Sequence, residues 1–325
     1  MSKAIRIYKN GGPEVLKWED VDPGQPSSGE ARIRHHAVGL NFIDVYHRTG
    51  LYPLPSLPAI PGMEGSGIVE DIGKDVKNVQ VGDRVAYAGM PTGAYAQVRC
   101  MPAHRLVKLP HDLSFETAAG MMLKGMTARY LVRGCFPVSS TDTILVHAAS
   151  GGVGSIVCQW AHDIGATVLG TVGSEEKAEN ARANGCDHPI LYSHEDFVAK
   201  VREITGGKGV NVVYDSVGQA TFTKSLDCLQ PLGTMVSFGQ SSGSVPPLDL
   251  GVLAAKGSLF LTRPSLMTYT EKREDLLAHA EDLFEVVKRG AVRIAIGQTY
   301  PLAEAAAAHR DLEGRKTTAS TLLIP

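Results

Sequence analysis

The sequence predicts an α/β protein of two domains: a β-rich domain and, inserted into it, a doubly wound parallel sheet. Three observations predict this. Short strand-like runs broken by Gly and Pro fill residues 1 to about 124. Apolar strands alternate with helix-patterned segments from about 125 to 262. The tail, 263–325, returns to mixed structure and closes on an apolar strand, Thr321-Leu322-Leu323-Ile324, placed to rejoin the first domain. Alternation of strand and helix is the pattern of a parallel sheet, and closely spaced short strands that of an antiparallel one.

In the first zone the strand candidates are Ala4-Ile5-Arg6-Ile7, Ala31-Arg32-Ile33-Arg34, Gly67-Ile68-Val69 and Arg84-Val85-Ala86-Tyr87. Together they read as an antiparallel, partly barrel-like domain. In the second zone the candidates lie at 143–147, 167–172, 189–192, 210–215, 233–238 and 257–262. Between the first two, Val153, Ile156, Val157, Trp160, Ala161 and Ile164 recur at helical spacing, and Gly165 stands where a helix-ending glycine belongs. Ser193 with Asp196 forms a candidate capping box, and a long helix is expected at 271–289.

The turn between the first strand and its helix carries the chemistry. Ala148-Ala149-Ser150-Gly151-Gly152-Val153-Gly154-Ser155 follows an apolar strand and opens a helix. Strand, glycine turn and helix is the arrangement that cradles a dinucleotide pyrophosphate: glycines let the backbone approach the phosphates, and the helix N-terminus offers unpaired N–H groups and a positive dipole end. The spacing departs from G-x-G-x-x-G, so the strand and helix around the glycines carry the assignment. The next strand ends Thr171-Val172-Gly173-Ser174, without the acid that usually binds the adenine ribose of NAD. Ser174 reads as a helix N-cap, which puts Lys177 in the first turn, where a cation is disfavoured unless an anion offsets it. The pattern favours NADP through its 2′-phosphate. A ribose contact by Glu175 or Glu176 is the alternative it leaves open.

Composition sets the limits. A chain of 325 residues suits two domains, each with its own core. A formal net charge of −2 without a basic block argues against nucleic acid as the main partner. No apolar run is long enough to span a bilayer, and the start, Met1-Ser2-Lys3-Ala4-Ile5-Arg6, has no signal-peptide core. Cys100, Cys135, Cys158, Cys186 and Cys228 are scattered, as neither a disulfide framework nor a zinc knuckle would have them. A reducing cytoplasm is the expected location.

Several further motifs carry a resemblance: Gly11-Gly12-Pro13-Glu14-Val15-Leu16, Gly39-Leu40-Asn41-Phe42-Ile43-Asp44, Pro61-Gly62-Met63-Glu64-Gly65-Ser66-Gly67, Gly82-Asp83-Arg84-Val85, Tyr214-Asp215-Ser216-Val217-Gly218 and Val236-Ser237-Phe238-Gly239. With the 148–154 loop they make the chain similar, along nearly its whole length, to zinc-independent medium-chain dehydrogenases/reductases. The group it resembles is the zeta-crystallin-like NADPH:quinone oxidoreductases of bacteria. The resemblance implies a GroES-like β domain (1–124, completed by 263–325), a Rossmann domain (125–262), a homodimer, and NADPH passing reducing equivalents to a quinone in the cleft between domains.

The same resemblance implies site residues. Asn41, Tyr46 and Tyr52 would line the nicotinamide and acceptor pocket, with Phe42 beside them. Lys124 and Thr127 would approach the nicotinamide ribose or the pyrophosphate, and Gly152 and Val153 would lie under the diphosphate. Gly173, Ser174, Lys177 and Tyr192 would surround the 2′-phosphate, with Arg315 closing over it. Ser216, Phe238 and Gly239 stand at or just past the carboxyl ends of expected strands, where ligands bind in open α/β sheets. Blander readings stand beside these: Asn41 as a turn residue, Tyr46 as helix core, Tyr52 as part of a rigid proline-rich loop, and Arg315 as a solvated charge. Asp215 and Lys224 read as capping or solvated.

Zinc-dependent relatives place a Cys near Asn41 and a His where Met63 precedes Glu64. Asn41 and Met63 are poor zinc ligands, so no metal is expected. His35 and His36 are strand neighbours that point to opposite faces, and they read as surface or barrel-end residues. Without a Lewis acid to polarise an alcohol or carbonyl oxygen, a quinone is the better-suited acceptor, being electron-poor already. Two alternatives remain: reduction of the double bond of an enone or enal, and a structural or RNA-binding role for an NADPH-binding protein.

Overall fold

A computed structural model describes residues 2–325, which form two compact units. The first runs to Lys124 and takes in Thr270–Ala280 and Ile294–Pro325; the second comprises Gly125–Tyr269 and Glu281–Arg293.

The first unit is built on a seven-stranded sheet. Its central strand, Glu30–Leu40, pairs antiparallel with Glu64–Ile72, Val98–Pro102 and the terminal Ser320–Ile324. Alternation decides which face is buried: Ala31, Ile33 and His35 point into the core while Arg34 and His36 point out. His35 is thus not a surface residue. Its Nδ1 lies 2.6 Å from the Ala96 carbonyl and its Nε2 2.8 Å from the Tyr87 hydroxyl. His36, on the outer face, stacks on Phe115 at 4.2 Å. Ile5, Ile7, Ile33, Leu40, Val69, Tyr87, Tyr95, Met101 and Leu323 are among the residues of one apolar core. Where the central strand ends, the chain turns at Asn41 into a helix, Phe42–Thr49, which stops at Gly50.

The second unit holds a six-stranded parallel sheet. Its strands run in the spatial order His188–Leu191, Thr167–Val172, Thr143–His147, Val210–Asp215, Leu229–Ser237 and Phe260–Thr262. Numbered by sequence this is 3-2-1-4-5-6, the doubly wound dinucleotide-binding order, whose direction of progression reverses beside the first strand. The glycine turn follows that strand and opens the helix Gly152–Ile164, which ends at Gly165 with φ 97°. A methyl on Gly154 would overlap the Ala148 carbonyl, so the turn can close tightly against the helix only with glycine there.

Three further expectations need correction. The helix Phe197–Ile204 is capped by Asp196 alone, whose carboxylate accepts from the Val198 and Ala199 N–H groups; Ser193 lies outside the cap. The strand expected at 257–262 is reduced to Phe260–Thr262, because Gly257 and Ser258 take positive φ (106° and 57°) incompatible with a ladder. The tail does not return to the first unit in one piece. Leu283 packs on Gly125, Asp282 pairs with Arg129 at 2.8 Å, and Arg289 pairs with Asp163, which ties 281–293 to the second unit.

Candidate active site

In the first unit the Asn41 motif forms the head of a helix. Asn41 has extended backbone angles and caps the helix, and Asp44, three residues on, returns a carboxylate oxygen to the Asn41 N–H at 2.9 Å. The Asn41 side-chain amide donates to Glu64 Oε2 at 2.7 Å. Glu64 is fully buried; its Oε1 accepts the Leu123 N–H at 2.7 Å, and Lys124 Nζ lies 3.5 Å from Oε2 and 3.3 Å from the Leu40 carbonyl. Burial raises the Glu64 carboxyl above its usual range, opposed by the Lys124 charge and the Asn41 and Leu123 donors. Burial likewise pushes Asp44 up to about 7, against the pull of the Asn41 N–H, the Tyr95 hydroxyl and Lys124.

One and two turns along, the rings gather. Phe42 meets Tyr46 edge-on at 5.5 Å, and Tyr46 meets Tyr52 edge-on at 5.0 Å. The Tyr52 N–H donates to the Tyr46 carbonyl at 3.1 Å, which fixes the loop back onto the helix. Tyr46 is buried and Tyr52 half-buried. Asn41, Phe42, Tyr46, Tyr52 and Lys124 therefore all belong to the first unit, with Asn41 and Lys124 meeting at Glu64. Arg315 is also in the first unit, exposed, just past the helix Ala305–Glu313 with φ 58°.

The second unit carries most of the other residues expected around a nucleotide. Gly152 and Val153 are the first residues of the glycine-turn helix. Ser174 caps the helix Glu175–Ala183, accepting the Lys177 N–H at 3.3 Å, and the Tyr192 hydroxyl overhangs Gly173. Ser216 and Gly239 are in close contact, because Asp215 and Ser237 are partners at the carboxyl ends of parallel strands. The Phe238 N–H donates to the Asp215 carbonyl at 2.8 Å. Asp215 accepts from Val217, Gly218 and Thr221, a loop-capping role, and Lys224 pairs with Asp196. Thr127 is buried in the helix Phe115–Tyr130. No set of three or more His, Cys, Asp or Glu side chains among the described residues stands together as metal ligands.

Sequence reasoning passed over Asp44, Tyr95, His309 and the full part played by Glu64. Asp44 had a signal, its spacing of three from an N-cap Asn. Tyr95 and His309 had none, since they meet 214 residues apart.

Residues 27–111 match the model of the alcohol dehydrogenase GroES-like domain, and residues 152–281 that of the zinc-binding dehydrogenase. Over 325 residues the chain is 50% identical to a quinone oxidoreductase of Pseudomonas aeruginosa, covering 100% of both. The chain belongs to the quinone oxidoreductase group of the medium-chain dehydrogenases/reductases. A solved structure of the Escherichia coli quinone oxidoreductase complexed with NADPH matches 99% of this chain and 100% of its own, at 47% identity and a TM-score of 0.98. A 2-haloacrylate reductase of Burkholderia is 47% identical, over 100% of this chain and 99% of its own. The group's GroES-like and Rossmann architecture accounts for the two units described above.

Proposed function

We propose that the chain is a zinc-independent NADPH:quinone oxidoreductase. The observation that carries the reading is the full-length likeness to a quinone oxidoreductase crystallised with NADPH. The residues present fit that cofactor: a tight glycine turn opening a helix, and a second turn, Gly173-Ser174, that offers a cation and a tyrosine in place of an acid. Gly152 and Val153 would hold the diphosphate. Gly173, Ser174, Lys177, Tyr192 and Arg315 would hold the 2′-phosphate, and Lys124, Thr127, Phe42, Ser216, Phe238 and Gly239 the remainder. Bound NADPH supplies the reducing equivalents.

The protein's own contribution is orientation. Asn41, anchored on Glu64, and the Tyr46–Tyr52 pair present hydrogen-bonding groups and ring faces to a flat acceptor. Asn41 and Met63 are poor zinc ligands, and Glu64 beside them is occupied by Asn41, Leu123 and Lys124, which supports the zinc-independent reading. A homodimer belongs to the same proposal, supported by the edge strand Phe260–Thr262 with its exposed side chains. So does a reducing, cytoplasmic location, supported by five free cysteines.

The likeness to a 2-haloacrylate reductase favours one second reading, transfer to an activated alkene. Parallel assays of NADPH oxidation with 1,4-benzoquinone, 9,10-phenanthrenequinone, 2-cyclohexenone and 2-chloroacrylate separate the two. Turnover with the quinones is expected. Turnover with the alkenes alone would move the assignment, and tight NADPH binding without any turnover would indicate a non-enzymatic role.

A further inference from the structure

The helix capped by Asn41 carries two buried ionisable side chains, Asp44 and Arg48, for which the acceptor site has no direct use. They are linked through residues brought from elsewhere in the first unit. Arg48 pairs with Glu313 through both guanidinium nitrogens, at 2.9 and 2.8 Å. Arg48 Nη1 also lies 3.1 Å from His309 Nδ1, His309 Nε2 lies 2.9 Å from the Tyr95 hydroxyl, and that hydroxyl donates to Asp44 Oδ2 at 3.1 Å. Asp44 Oδ2 then receives the Asn41 N–H.

The direction of this chain is set by its first member. A guanidinium can only donate, so His309 Nδ1 must accept. Burial and the Arg48 charge hold the His309 ring neutral, its pKa pushed down to about 3, so its one proton sits on Nε2 and is given to Tyr95. The Tyr95 hydroxyl is thereby left with Asp44 as its acceptor. Every donor points toward one carboxylate oxygen, while the other, Oδ1, is buried with no partner among the described residues. An Asp44 carboxylate free to rotate would satisfy both oxygens. One held by two convergent donors on a single oxygen is pinned.

We infer that Arg48, His309, Tyr95 and Asp44 are positioning residues for Asn41. The polarised chain fixes the carboxylate, the carboxylate fixes the Asn41 backbone at the head of the helix, and Glu64 fixes the Asn41 side chain. With the backbone tether slackened, the amide pivots about Glu64 and loses its aim at the acceptor. The inference rests on the acceptor-site reading of Asn41, but it can be tested apart from it.

In protein labelled with [15N]asparagine, Tyr95→Phe is expected to move the backbone and side-chain signals of Asn41 and leave the other asparagines in place. Asp44→Asn, which keeps a carbonyl facing both donors, moves them less and serves as readout should Tyr95→Phe fail to fold. In turnover with NADPH and 1,4-benzoquinone, Tyr95→Phe lowers kcat about fivefold or more with the NADPH Kd changed less than about twofold. Tyr95→Phe in an Asn41→Ala background adds no further loss, since residues acting as a unit are non-additive. Tyr8→Phe, which removes an exposed hydroxyl bonded to Glu19, changes neither readout. Unmoved Asn41 signals in both variants, or a Tyr95→Phe loss that multiplies the Asn41→Ala loss, would overturn the inference. If Asn41 signals move but the unaltered protein turns over no quinone, positioning stands and the quinone reading falls.

Discussion

His35 shows how a single residue departs from what its neighbours predict. Adjacent strand positions face opposite ways, so of His35 and His36 one must be inside. The inner ring finds a carbonyl and a hydroxyl, and burial, with the nearby Arg99 charge, pushes its pKa down to about 4 although the Ala96 carbonyl pulls the other way. The consequence for stability follows in sign. Between about pH 4 and the ordinary histidine value, the unfolded chain takes up a proton that the folded ring refuses. Folding stability therefore falls as pH is lowered through that window, by up to about 1.4 kcal/mol per pH unit for such a ring. Thermal melts of His35→Gln between pH 7 and 5 should show a shallower fall than the unaltered protein. An unchanged slope would mean that the ring titrates in the fold as it does in the unfolded chain.

At the scale of elements, the glycine-turn helix and the helix capped by Ser174 were the most legible parts of the sequence. Strands at 143–147, 167–172 and 210–215 stand where apolar runs put them, because both faces of a parallel sheet are buried and leave an unbroken apolar signature. The strand Leu229–Ser237 begins earlier than its apolar run, carrying Pro231 and a left-handed Leu232 at a shifted register, which no propensity announces. The buried Glu64–Asn41–Asp44–Tyr95–His309 network was half legible: its local steps follow cap spacing, its long-range steps depend on chain pairing. Lys177 tests the second turn. A cation in the first turn of a helix opposes the dipole, and a bound phosphate reverses the sign of that interaction. Removing a charge-assisted contact of this kind costs about 1.5–3 kcal/mol, or about 10- to 100-fold in affinity. Lys177→Ala is expected to weaken NADPH by that factor in a fluorescence titration and to leave NADH nearly unchanged. Equal loss of both cofactors would remove Lys177 from the 2′-phosphate site.

For the whole molecule, the parallel sheet of the second unit leaves an edge. Phe260 and Leu261 on that edge are 61% and 38% exposed, and Leu250 nearby in sequence is 71% exposed. Unpaired strand edges with apolar side chains invite a second chain. For the homodimer we propose, Phe260→Lys is expected to give a monomer by light scattering while the circular dichroism spectrum is retained; a dimer that survives the substitution would place the interface elsewhere, and a monomeric unaltered protein would remove the dimer from the proposal. No helix among the described residues is long and apolar enough to cross a membrane.

The central claim is that this fold passes electrons from NADPH to a quinone using orientation and hydrogen bonding and no metal. The most direct measurement is the initial rate of NADPH oxidation by 1,4-benzoquinone on protein dialysed against a chelator, with its zinc content determined on the same sample. Undiminished turnover at negligible zinc is the expected result. Activity that vanishes on dialysis and returns in proportion to added zinc would contradict the account.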